Sequence, residues 1–294
     1  MNAVSHLPEV SLPPATAVRT RAIPSLVMRP NRGWSRLNVR EVWRFRELLW
    51  TLTARDLKLR YKQTALGIIW VVLQPLMAAG VFSFVFGVVA KLPGNGVPYF
   101  LLSYVGLLGW NLFSSTAAKG SGSLTGNSQL ISKVYFPRLI LPLSAVPSVL
   151  VDFAVASAML VVMLAAYGIV PPLAVLMLPV WMGILLAQAL GLGLMTAALA
   201  VSYRDVQYVL PVLLQILLYA GPAAYPASAV PERWRTVFYL NPVSAPLEAF
   251  RASLLGTAFP EAAALWSSAG VSVGLLVGGL YLFKRMERRF ADVI

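Results

Sequence analysis

No residue between Lys62 and Lys91 carries a charge, and none between Lys91 and Lys119. Each run is longer than the roughly 20 residues a helix needs to cross a bilayer core. A short polar segment follows, ending Lys133-Val134-Tyr135-Phe136-Pro137-Arg138. Two long uncharged runs in succession place the chain in a membrane. The polar turn over 119–142 is then the first place to look for how it is driven.

The distribution of charge supports this. Apolar residues make up 58% of the chain and charged ones 12%, against a formal net charge of +13. Of the 24 Lys and Arg, 12 lie in residues 1–65, three in 119–142, one at Arg204 and four in 284–294. Clustering of cations in alternate loops is the positive-inside pattern of a polytopic membrane protein. Nucleic-acid binding is a poor explanation of the charge, because no soluble module remains to carry it. The absence of cysteine excludes disulfides and thiolate metal sites. The first thirty residues contain no apolar core of a signal peptide and read as a leader. No internal repeat of fixed period is present.

Residues 1–39 carry Pro8, Pro13, Pro14, Pro24 and Pro30 among scattered arginines and bury too little surface to fold. Over 40–62, Arg40, Arg44, Glu47, Thr51, Arg55, Lys58 and Lys62 recur at steps of three and four, which lines them along one helical stripe. Phe45, Leu49, Leu52 and Leu59 flank one side of it, and Trp43, Trp50, Leu57 and Tyr61 the other. Such a helix can lie in the headgroup region. Arg46, Asp56 and Arg60 interrupt its apolar side, so it can also press against protein. A snorkelling flank of the first span is the other reading.

Spans are expected at about 66–90, 99–118, 143–167, 174–201, 206–222 and 262–283. A tail over 289–294 follows. Six spans put both termini on one side, and the arginine-rich ends make that side the cytoplasm. The segment 223–260 differs, with Pro226, Pro231, Pro242, Pro246 and Pro260 among Glu232, Arg233, Arg235, Glu248 and Arg251. Non-helical backbone at membrane depth is tolerated only when packed in protein or lining a cavity. It reads as an external hairpin dipping back toward the bilayer, with an ordered surface loop as the alternative.

Catalysis of the usual kinds is hard to build here. No Ser/His/Asp set, metal cluster or carboxylate pair falls inside the spans. Gly120 to Ser128 resembles a phosphate loop but lacks its lysine and a preceding strand, so it reads as a flexible loop. Asp152 is the one clear intramembrane acid, a functional candidate by default. With no Lys, Arg or His in the expected spans, a proton relay would have a single member. A structural bond to a neighbouring helix or subunit is the favoured reading. The turn at Lys133–Arg138 is expected to present Tyr135 and Phe136 beside two cations, which suits a docking site for a soluble partner. A membrane-surface anchor is the alternative. Trp70, Phe82, Phe86, Trp110, Phe113, Tyr219 and Tyr225 are candidates to line a pathway for sugars.

Taken in order, the motifs resemble those of one family. Arg55-Asp56-Leu57-Lys58-Leu59-Arg60-Tyr61-Lys62-Gln63 with Gly67, Trp70 and Gln74-Pro75, then Lys133 to Arg138 with Pro142, Tyr203-Arg204-Asp205 and Asn241-Pro242, look like the permease subunit of type-2 ABC exporters. Among these the chain is most similar to exporters of O-antigen, capsular polysaccharide or teichoic acid. The resemblance covers roughly residues 43–288. It implies an all-α integral membrane fold of six transmembrane helices per subunit, with an N-terminal amphipathic interface helix and a re-entrant external hairpin.

The resemblance further implies a homodimer in the inner membrane that exports a lipid-linked polysaccharide with two copies of a separate ATPase. ATP and Mg²⁺ would sit on that partner, and no cofactor on this chain. Arg55, Asp56, Lys58, Arg60, Tyr61 and Lys62 of the interface helix, and Lys133, Tyr135, Phe136, Pro137 and Arg138 of the turn, would transmit its motion. Arg233, Asn241, Pro242, Glu248 and Arg251 would belong to an external gate. Rival readings are a drug or lipid exporter of the same architecture, an ion-coupled transporter using Asp152, and a non-transporting scaffold.

Overall fold

The computed structural model describes residues 39–62, 67–94, 96–287 and 290. The expected leader (1–39) and tail (289–294), apart from Val39 and Phe290, fall outside these residues, as does Gln63 of the first motif. Among the described residues every regular element is helical.

The helices run in order α1 (Val39–Arg44), α2 (Arg46–Lys62), α3 (Ile69–Phe82), α4 (Tyr99–Gly122), α5 (Ser128–Lys133), α6 (Ile140–Ala166), α7 (Leu178–Ser202), α8 (Val206–Tyr219), α9 (Glu232–Leu240), α10 (Ser244–Leu255) and α11 (Ala262–Met286). A π-helical stretch, Ser83–Val89, extends α3, and a 3₁₀ turn, Leu173–Met177, leads into α7. Four of these units are long and apolar enough to cross a bilayer: Ile69–Val89, Ile140–Ala166, Leu173–Ser202 and Ala262–Met286.

Two of the expected spans look different in three dimensions. α4 is 24 residues long and is the most enclosed of the long helices, packed by α3, α6, α7, α8 and α10. Protein, not lipid, covers most of its sides, which is why it accommodates Ser103, Asn111, Ser115 and Thr116. α8 has only 14 residues, about 21 Å of helix, short of a full crossing.

α7 packs on both α4 and α11 by close backbone approach. A Cβ on Gly191 would fall on the backbone of Leu275 and Leu276, and one on Gly279 on the backbone of Gly191. Membrane helices lack a hydrophobic force between them, so small residues that allow such contact do much of the packing.

The apolar interior has three parts. One joins α3, α4, α6 and α10 around Tyr104, Leu160 and Phe250. A second, around Trp110, Phe113 and Leu247, lies between α4, α7, α8 and α10. The third, around Leu52, Leu124, Phe136, Phe283 and Phe290, gathers α2, the polar segment, α7 and α11 at one end of the bundle.

Candidate functional site

The third apolar cluster organises the polar segment 119–142. The expectation of a flexible glycine loop there is corrected: α4 continues to Gly122, and a 3₁₀ turn, Thr125–Asn127, and α5 follow directly. Leu124 is fully buried, and side chains take over the backbone's hydrogen bonds. Ser123 Oγ donates to the Gly120 carbonyl at 2.7 Å, and Asn127 Nδ2 to that of Ser123 at 2.8 Å. Local side-chain bonds of this kind hold a turn where propensity alone would leave a loop.

The turn after α5 does not present both aromatics. Tyr135 is 60% exposed, whereas Phe136 is 4% exposed and packs into the third cluster. Pro137 is buried too. Arg138 faces inward: its Nη1 donates to the Glu287 carbonyl, and its guanidinium lies 5.9 Å from the Phe290 ring centroid. The outward surface of the turn is therefore Ser132, Lys133, Val134 and Tyr135. Tyr135 sits in partial burial near the Glu41 and Glu287 carboxylates, which together push its phenol above the ordinary range.

α2 braces this turn. Arg55 Nη2 donates to Asn127 Oδ1 at 2.8 Å while also pairing with Asp56 Oδ1 at 3.1 Å. Thr53 Oγ1 reaches the Ser144 carbonyl of α6 at 3.2 Å. The predicted stripe from Arg40 to Lys62 is exposed at all seven positions. Of its flanks, Phe45, Leu49 and Leu52 pack against the bundle, and Trp43 and Trp50 remain open. Lys58 and Lys62 stand on the open face.

Asp152 is not solitary. Because α4 runs past the expected end of its span, Lys119 lies inside the helix, and its Nζ reaches Asp152 Oδ2 at 3.2 Å and Ser148 Oγ at 3.0 Å. Arg60 Nη1 bonds the same carboxylate oxygen, and the Tyr61 hydroxyl donates to Oδ1 at 2.6 Å. Burial and then this bond push the Tyr61 phenol up to about 12, so it stays a neutral donor at physiological pH. The carboxylate thus joins α2, α4 and α6.

The segment 223–260 holds α9 and α10 joined at Asn241-Pro242. Every residue of α10 is buried, including Glu248 and Arg251. Asn241 Oδ1 accepts from Val243 N at 3.1 Å and its Nδ2 donates to the Leu217 carbonyl at 3.3 Å. Gln188, which sequence reasoning passed over, donates from Nε2 to the Pro242 carbonyl at 2.9 Å and to Ser268 Oγ at 3.0 Å. An uncharged amide inside the apolar run of α7 was the available signal for it. Arg233, by contrast, is exposed on α9.

The proposed pathway aromatics separate. Phe82, Phe86 and Tyr225 form a chain with successive centroids 5.9 Å apart. Trp70 and Tyr219 are open to the surroundings. Trp110 and Phe113 are buried in the second cluster, which removes them from any lining in this conformation. Tight packing by α7, α8 and α10 around α4 decides this, and aromatic content alone could not reveal it.

Together these features define a polytopic helical membrane protein with a braced, partly basic surface at one end and a short helix, α10, enclosed by protein before its last long element. The chain belongs to the ABC-2 type transporter family, whose profile matches residues 47–255. It is 33% identical over 258 residues to the O-antigen export system permease protein RfbA of Myxococcus xanthus, covering 87% of this chain and 98% of that protein. It is 30% identical over 253 residues to the Klebsiella pneumoniae protein of the same name, covering 84% and 95%. Similarity extends to the polysialic acid transport protein KpsM of Escherichia coli, at 24% over 259 residues, covering 80% and 92%.

Proposed function

We propose that this chain is the permease subunit of an ATP-driven exporter moving a lipid-linked polysaccharide, such as O-antigen or capsule, across the bacterial inner membrane. The observation that carries this reading is similarity to O-antigen export permeases along nearly their whole length. Two copies of the chain work with two copies of a separate ATPase, which holds the nucleotide and Mg²⁺. The six spans correspond to α3 with its π extension, α4, α6, α7, α8 extended by the residues after it to about 222, and α11, with both termini cytoplasmic.

α1 and α2 serve as the interface helix, with Trp43 and Trp50 at headgroup depth. The ATPase docks on Lys133, Val134 and Tyr135 and on the exposed cations of α2. The Arg55–Asn127 bond and the Asp152 cluster support this arrangement, because they let α2 and the turn move as one body. Phe136, Pro137 and Arg138 hold the turn's shape from within. α9 and α10 re-enter the membrane from outside, and the enclosure of α10 in protein supports that placement.

Asp152 as the centre of an ion-coupled transporter is disfavoured, since both carboxylate oxygens are occupied by Arg60, Lys119 and Tyr61. Deleting the gene and complementing it, while surface glycan is assayed, tests the reading. Loss and restoration of glycan, with an ATPase co-purifying in near-equal amount, is the expected result. Unchanged glycan in the deletion strain overturns it.

A further inference from the structure

Arg138 stands where a cation is least favoured. Its carbonyl accepts from Leu141 N at 3.1 Å, so it opens the first turn of α6, and helix N-termini favour anions. Its guanidinium reaches the opposite kind of helix end. Nη1 donates to the carbonyl of Glu287, the residue that caps α11, where the last carbonyls of a helix lack partners of their own. The same guanidinium lies 5.9 Å from the centre of the Phe290 ring, within range of a cation–π contact. Phe290 is fully buried and meets the equally buried Phe283 of α11 edge-on at 5.3 Å. The Glu287 carboxylate is held as well, by Lys284 Nζ at 2.7 Å. One half-buried arginine therefore ties the start of α6 to the end of α11. α11 in turn lies along α7, with Gly279 against the backbone of Gly191, and close-packed contacts of this kind transmit displacement.

We infer that Arg138 and Phe290 form a clamp through which the docking turn drives the last span, so that its motion reaches α11 and α7 as well as α6. This rests on the exporter reading above. The turn is joined to α6 by the chain itself, and the clamp supplies the second route. Phe290 is a positioning residue: it acts through Arg138 and, being buried, offers nothing to a partner's surface. The rival account is that Phe290 only fills the third apolar cluster. In that case any apolar side chain of similar size would serve, whereas a clamp needs the face of the ring.

The test separates ring from bulk in the full complex of permease and ATPase. Phe290→Leu keeps an apolar side chain without the ring, Phe290→Tyr keeps the ring, and Arg138→Met removes the charge. Surface glycan in the native host and ATP hydrolysis by the purified complex are measured for each at matched membrane abundance. Phe290→Leu and Arg138→Met are each expected to lose about fivefold or more in exported glycan, with ATP hydrolysis and ATPase co-purification within about twofold of the wild type. Phe290→Tyr is expected to retain most of its export. The double variant Arg138→Met/Phe290→Leu is expected to be no worse than the worse single one, as befits two members of one contact. Normal export by Phe290→Leu, or single losses that multiply in the double variant, overturns the clamp. A parallel loss of ATPase co-purification also overturns it, since the residues would then only shape the docking surface. If Phe290→Leu fails to accumulate, Arg138→Met decides, and a wild-type ratio of glycan exported to ATP hydrolysed overturns the clamp. The deletion strain keeps the two readings apart. Glycan lost on deletion but normal in Phe290→Leu removes only the clamp, and glycan kept on deletion removes both.

Discussion

Arg251 and Glu248 form an ion pair one turn apart on α10, Nη1 to Oε1 at 2.8 Å, with the arginine side chain wholly shielded from solvent. The pair is also a clasp. Arg251 Nη2 donates to the Pro222 carbonyl, and Glu248 Oε1 accepts from Ala227 N at 2.7 Å, so both ends of the loop after α8 are held to α10. Breaking a buried pair by removing one member leaves an uncompensated charge and costs about 3–5 kcal/mol, whereas replacing both with apolar residues is often near neutral. Arg251→Met and Glu248→Leu should each lower the thermal midpoint in detergent sharply. The double variant should recover most of the loss if the pair acts as a unit.

Gly106 provides the room for that clasp. A Cβ at this position would collide with the Ala223 carbonyl and Arg251 Nη2. Gly106→Val should therefore reduce membrane accumulation, while Gly270→Val, where nothing lies within 4 Å of the added Cβ, should not. Quantitative immunoblotting of membrane fractions measures both.

Tyr135 and Phe136 are neighbours in sequence and opposite in role. Phe136→Ala removes a core ring and should cost about 3–5 kcal/mol, seen as a fall in the thermal midpoint. Tyr135→Ala should leave the midpoint within a degree or two but weaken ATPase co-purification and export. Equal loss of stability in both variants would sink this division of labour.

Asp152→Asn withdraws the countercharge from Arg60 and Lys119. Arg60 is 41% exposed, so solvent screens it, and the loss falls mainly on the more enclosed Lys119. A destabilisation of about 1–3 kcal/mol is expected, with residual export still dependent on ATP. Transport driven by an ion gradient alone, and abolished in Asp152→Asn, would contradict it.

Tyr61→Phe removes the hydroxyl that donates to Asp152. The folded-state pKa of Tyr61 is raised above its ordinary value of 10.0 to about 12, so its stabilising contribution is complete below pH 10 and declines as pH rises toward 12. Thermal midpoints of the wild type and Tyr61→Phe should accordingly differ most at neutral pH and converge above pH 10.

Much of the architecture was legible in the chain itself. Charge-free runs marked α3 and α4, and the three-and-four spacing from Arg40 to Lys62 marked a helix whose charged stripe is exposed throughout. Prolines around 222–260 marked an interrupted segment, and Asn241-Pro242 fell at its internal turn. These are local properties, set by helix period, backbone geometry and the cost of burying charge. The site was less legible. A spacing of three and four assigns residues to a face and leaves the neighbour of that face undetermined. Phe136 and Tyr135 could therefore not be told apart until the third apolar cluster was seen to claim one of them.

The sequence by itself determined a lipid-embedded, all-helical chain with basic ends and an interrupted segment before its last helix, because hydropathy and charge act residue by residue. Only the tertiary structure decided that Asp152 is held by Arg60, 92 positions away, and Tyr61, 91 away. The same holds for the enclosure of α10 around an ion pair and the meeting of Arg138 with Phe290 at the end of α11. Those outcomes depend on which helices touch, and that is settled by close packing at small residues such as Gly106, Gly191 and Gly279. One chain read in one dimension leaves those contacts undetermined.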